Sequence, residues 1–200
     1  MESLRNKNQE QQMDELRAKV NVCKLCRLCE TATQPVFGVG SVSAEIMFIG
    51  EAPGRDEDLK GEPFVGAAGK FLNEMLEKIG FQRSDVFIAN VVKHRPPNNR
   101  DPLPDEIETC YPYLKEQISI IRPKVIATLG RHALNLFLPG LKISAVHGQA
   151  KRAKGIYSEK QVYFPLYHPA SALYNNSLRQ TLIGDMMKLP ILLKKIKAEV

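Results

Sequence analysis

The chain has 200 residues, 44% of them hydrophobic, with a formal net charge of +6. That length suffices for one well-buried core and is short for two ordinary domains, and the excess of lysine and arginine favours a polyanionic partner such as nucleic acid over an acidic surface. No apolar run reaches the length of a signal peptide core or a membrane span, so a soluble, intracellular protein is expected. Taken in chain order, residues 1–20 read as a polar helical lead. Cys23, Cys26 and Cys29 then fall within seven residues, a spacing that points to metal binding in a reducing compartment. Four short runs rich in β-branched or aromatic residues read as strands: Ala44–Ile49, Val86–Val91, Lys124–Leu129 and Val162–Leu166. Between them, Ala67–Ile79 and Pro104–Ile121 carry helical spacing, and Ser177–Ala198 reads as a basic helix interrupted or kinked near Pro190. The basic stretch His147–Ser158 reads as a hairpin or loop, either a phosphate contact or merely solvated. Alternation of strands and helices predicts an α/β fold, a three-layer α/β/α sandwich around a mostly parallel four-stranded sheet.

Ligands of open α/β sheets bind beyond the carboxyl ends of the strands, which directs attention to GEAPG (Gly50–Gly54), the segment Asn90–Arg100, Gly130-Arg131, and HPASAL (His168–Leu173). GEAPG is a poor phosphate cradle, because Pro53 lacks an N–H and Glu51 is anionic. A carboxylate there suits orienting a water or stabilising positive charge in glycoside chemistry. His168 could donate to an anion forming on a leaving group, or be structural. Asn90 offers a donor and an acceptor matched to a pyrimidine edge, or ends a strand as a capping residue. Phe64, between glycines, could stack on a base or anchor the core. For His132 and His147 a surface or capping role suffices.

The stretches GEAPGRDEDLKGEPFVGAAGK, NVVKHRPPNNRDP and YHPASAL together resemble the family 4 uracil-DNA glycosylases, the thermostable iron–sulfur type of bacteria and archaea, in order from about Cys23 to the C-terminal helix. The resemblance implies that residues 1–200 form a single glycosylase domain releasing uracil from a flipped nucleotide in DNA, as a monofunctional hydrolase of base excision repair. It further implies that Gly50, Glu51 and Ala52 line the uracil pocket, that Phe64 stacks on the ring, that Asn90 reads its edge and that His168 stabilises the departing anion. Glu51 would position the attacking water, and Leu173 is either a wedge into the DNA stack or plain core. The family holds a [4Fe-4S] cluster with four cysteines. Here Cys23, Cys26 and Cys110 match, His94 stands at the third position, and Cys23, Cys26, His94 and Cys110 are the expected ligands. Cys29 is an alternative fourth ligand, and a Cys3His zinc site is an alternative metal. A ferredoxin-like run is disfavoured by Thr33 in place of a fourth cysteine.

Two other functions compete: a uracil-DNA-binding protein that crosslinks to the abasic sugar through His94, and a non-catalytic nucleic-acid-binding module with a structural metal. The loop RPPNNRDP lacks the longer insertion with a second histidine found in crosslinking proteins, and a binding module leaves Glu51, Asn90 and His168 without a purpose. The expected setting is cytoplasmic and nucleoid-associated in a prokaryote. A monomer is expected, and a sliding clamp is a candidate partner through the lead or through Lys194 and Lys195.

Overall fold

The computed structural model describes residues 2–199. Six strands form one sheet: β1 (Val39–Gly40), β2 (Ile46–Gly50), β3 (Phe87–Asn90), β4 (Val125–Leu129), β5 (Lys151–Ala153) and β6 (Gln161–Leu166), in the order β1-β3-β2-β4-β6-β5. The four inner strands are mutually parallel, and β1 and β5 pair antiparallel at the two edges. Four strands were expected, so the count is corrected to six. Both additions are two- or three-residue edge pieces without a hydrophobic run, and one of them, β5, lies inside the basic stretch read as a hairpin or loop.

Along the inner strands, side chains alternate between two cores, as the pleat requires. Met47, Ile49, Phe87, Ala89, Ile126 and Tyr163 face one side. That side is covered by α1 (Glu2–Asn21), α4 (Pro104–Ile121) and α5 (Arg131–Phe137). The N-terminal lead is therefore no mere appendage: Met13, Leu16 and Val20, at helical spacing on α1, are buried, and Gln9 donates to the Ile120 carbonyl at the end of α4. Ile46, Phe48, Ile88, Val125, Phe164 and Leu166 face the other side, under α3 (Ala67–Lys78), α7 (Asn176–Met186) and α8 (Leu189–Ala198). The C-terminal helix is broken at Met187–Lys188, and Pro190 falls in the first turn of α8, where its missing N–H is not needed. Two short helices, α2 (Arg55–Lys60) and α6 (Ile143–Val146), lie in the connections.

The chain runs from β2 outward to β3 and then returns past β2 to β4. This reversal creates the crevice at the carboxyl ends of β2 and β4 where such sheets receive ligands.

Candidate active site

A cavity of about 340 Å3 opens at that edge of the sheet, a size within the range of small-molecule sites. Glu51, Ala52, Phe64, Asn90 and His168 all line it, so five residues from four separate loops or strand ends meet as the motifs suggested. Gly50 meets them from below as the last residue of β2. A Cβ there would stand 2.4 Å from Asn90 Oδ1 and 2.7 Å from Phe64 Cζ, so only glycine allows both side chains to close over the strand end.

Asn90 is 2% exposed, and its Oδ1 finds no hydrogen-bond partner among the described residues. A buried orphan acceptor is costly, and its presence beside a cavity marks a place for a donor on a ligand. Phe64 holds a left-handed backbone at φ 53°, unusual for a bulky residue. Three contacts impose it. Arg83 donates to the carbonyls of Pro63 at 2.7 Å and Phe64 at 3.2 Å, and Gly69 on α3 lies so close that a Cβ would fall 1.7 Å from Phe64 O. The Glu57 carboxylate accepts from the amides of Gly54 at 3.2 Å, Val65 at 2.9 Å and Gly66 at 3.0 Å, stapling the GEAPG loop to the loop that carries Phe64. Glu57 and Arg83 escaped the sequence reading, since an acid and a base on polar surfaces leave no periodic signal.

The Phe64 ring lies 5.5 Å from that of His168, tilted by 32°. Burial presses the His168 pKa down to about 4, against an opposing pull from the Glu57 charge, so the ring is neutral at physiological pH. Its Nδ1 accepts from the Ala170 amide at 3.2 Å, and the proton of the neutral ring therefore resides on Nε2. Such a ring is a fixed donor. Glu51 is pushed the other way, up to about 7, by burial and by the neighbouring Asp101 charge, with Arg131 opposing. His132 Nε2 lies 3.7 Å from Glu51 Oε2 and 3.1 Å from Asp101 Oδ2, which overturns the expectation of a surface or capping role for His132. Its place three residues past the end of β4 was the signal that could have found it. His147 is likewise more than a surface group, since its Nδ1 meets the buried Asp185 carboxylate at 2.6 Å and its ring packs on Tyr167. Leu173 is half-buried against the α3–α7–α8 core, whereas Tyr174 beside it is 99% exposed.

A second centre lies between the start of the chain and α4. Cys23, Cys26 and Cys110 are near enough that Cys23 and Cys26 both raise the Cys110 pKa, which burial lifts to about 11 against the opposing charge of Lys93. The Lys93 amide donates to Cys110 Sγ at 3.2 Å, so the backbone of His94 is one residue from this corner, while its buried side chain feels the charge of Asp58. Arg27, in the turn that bears Cys29, pairs with Asp105 and Glu106 at the start of α4 and docks the cysteine segment on the helix of Cys110. A single tetrahedral zinc would need its ligand atoms about 4 Å apart. Among the described residues, no set of three that includes a cysteine brings its ligand atoms within 4.8 Å of one another.

A mixed sheet whose switch point holds a cavity with a carboxylate and a neutral imidazole on its wall defines an α/β protein with a candidate site for acid–base chemistry. The family model of the uracil DNA glycosylase superfamily matches residues 37–188, and the chain belongs to that superfamily, in its type-4 branch. It is 50% identical over 182 residues to the type-4 uracil-DNA glycosylase of Archaeoglobus fulgidus, covering 88% of this chain and 91% of that one. It is 40% identical over 188 residues to the type-4 enzyme of Thermotoga maritima, covering 93% and 97%. Identity to the type-5 uracil-DNA glycosylase of Pyrobaculum aerophilum is 30% over 155 residues, covering 68% and 66%.

Proposed function

We propose that this chain is a monofunctional uracil-DNA glycosylase acting as one domain over residues 1–200. The observation that carries the reading is the orphaned Asn90 acceptor beside Phe64 and the neutral His168. Uracil carries N3–H as a donor where cytosine has a bare nitrogen, so Asn90 Oδ1 gains a partner with uracil and faces a second acceptor with cytosine. Phe64 packs on the ring face, and Gly50 and Ala52 close the pocket around its edge. As the C1′–N1 bond breaks, the electron pair leaves with uracil and its negative charge meets the Nε2–H of His168. The sugar passes through an oxocarbenium ion. Glu51 directs a water to C1′ and accepts a proton from it, leaving an abasic site and free uracil.

Leu173 and the exposed Tyr174 form the edge of the His168 loop that would enter the stack vacated by the flipped base. Cys23, Cys26, His94 and Cys110 would hold a [4Fe-4S] cluster, a structural tie between the N-terminal segment and the loop after β3; membership of the type-4 branch and the approach of Cys23 and Cys26 to Cys110 support this reading. Burial of His94 outside the cavity lining speaks against its capturing a sugar. No helix among the described residues is long and apolar enough to cross a membrane. We place the protein as a monomer at the prokaryotic nucleoid, with the exposed Lys194 and Lys195 as the surface left for a sliding clamp.

The test is an end-labelled oligonucleotide with one uracil, incubated with the protein and with the Glu51→Ala and His168→Ala variants, with and without hot alkali. Alkali-dependent cleavage at the uracil, strongly slowed in both variants, is expected. A heat-stable protein–DNA band would select the crosslinking function instead, and no signal with the intact protein would overturn the glycosylase reading.

A further inference from the structure

Hydrolysis as proposed leaves the proton of the attacking water on Glu51, whose side chain is only 24% exposed. Asp101, by contrast, is 57% exposed and lines the same cavity. Ligand atoms of Glu51, Asp101 and His132 lie within 4.8 Å of one another, although the three come from the loops after β2 and β3 and from α5. Asp101 does not drift there by chance. The preceding Arg100 is clamped to the fully buried Glu106 at 2.6 and 2.8 Å, and Arg131 holds Asp101 Oδ2 at 3.0 Å while its Nε contacts His132 at 2.9 Å. Other ionisable groups about the cavity are committed: Glu57 to three backbone amides, Arg100 to Glu106, and His168 Nδ1 to the Ala170 amide. Asp101, Arg131 and His132 are thus the charged or titratable groups that face Glu51.

Two carboxylates whose oxygens lie within 4.8 Å of one another repel when both are ionised, and a proton on one is within reach of the other. Resting on the glycosylase reading, we propose that Asp101 is a positioning residue that shares the proton of Glu51 and passes it to solvent. In that step the water oxygen bonds to C1′ and its proton moves to Glu51, then through Asp101 to bulk water. The electron pair of the broken C1′–N1 bond stays on uracil, which takes one proton from water after release, so charge and atoms balance. Arg131 sets the poise of the pair by favouring its ionised form.

The experiment is the single-turnover rate of uracil release as a function of pH for the intact protein, Asp101→Asn and Arg131→Gln, with a thermal melt of each. The wild-type rate is expected to rise with pH through a midpoint near the Glu51 value of about 7. Removing the like charge in Asp101→Asn moves that midpoint to lower pH and reduces the plateau rate. Removing the opposing charge in Arg131→Gln moves it to higher pH. A merely structural Asp101 would lower the melting temperature or weaken DNA binding and leave the midpoint in place. Unmoved midpoints, or midpoints displaced in one direction by both variants, overturn the shared-proton proposal while uracil release by the wild type upholds the glycosylase. A wild-type protein that releases no uracil overturns both.

Discussion

Replacing Gly50 by alanine adds one methyl group where the strand end, the base reader and the stacking ring converge. Its Cβ would sit 2.4 Å from Asn90 Oδ1 and 2.7 Å from Phe64 Cζ, where ordinary contact begins at roughly 3.5 Å. About 1 Å of movement is therefore needed, and neither neighbour yields freely: Asn90 is buried on β3, and Phe64 is fixed through its own carbonyl by Arg83. Overpacking of this kind costs about 1–3 kcal/mol, which for a chain of this size lowers Tm by roughly 2–4 °C per kcal/mol. The effect on catalysis is larger, since a misplacement of about 1 Å in a positioned site costs on the order of a hundredfold. Single-turnover uracil release and a thermal melt on the same sample separate the two effects. Gly184→Ala serves as the contrast, because nothing lies within 4 Å of a Cβ there and the helix gains about 0.5–1 kcal/mol. A Gly50→Ala protein that releases uracil at the wild-type rate would refute the idea that this glycine sets the Asn90–Phe64 geometry.

At the rim, Tyr174→Ala should slow excision from duplex DNA more than Leu173→Ala, with both close to wild type on single strands; wild-type duplex rates in both variants would remove the wedge. For the cysteine centre, His94→Ala is expected to purify with much less iron and weaker visible absorbance, and Cys29→Ala with both retained. Undiminished iron in the His94 variant would take that residue out of the ligand set. Stability should also report the two perturbed groups, with opposite signs. Glu51, at about 7 against an ordinary 4.5, binds its proton more tightly when folded, so its contribution falls as pH rises from 4.5 to 7. His168, at about 4 against 6.5, resists its proton when folded, so its contribution grows from pH 4 to 6.5. The Tm of Glu51→Gln should accordingly climb with pH across 4.5–6.5 more steeply than that of the wild type, and parallel profiles would contradict the Glu51 assignment.

The inner sheet was legible from the chain alone because its strands are buried on both faces and read as unbroken apolar runs. Helix α4 was bounded at both ends in the same way, by Pro104 in its first turn and by the last apolar residue, Ile121. The edge strands β1 and β5 were not, for a two- or three-residue piece with one solvated side carries no periodicity. At the site, the rule that ligands gather at strand ends pointed to the segments that hold Glu51, Asn90 and His168, and the family resemblance added Gly50 and Ala52. What those residues need from their neighbours was decided only by the tertiary structure. The Glu57 staple, the Arg83 clamp on Phe64 and the Asp101–Arg131–His132 network around Glu51 join segments far apart in the chain. Spacing along a sequence records local geometry, whereas burial and the approach of one charge to another arise only when distant loops are folded to the same edge of the sheet.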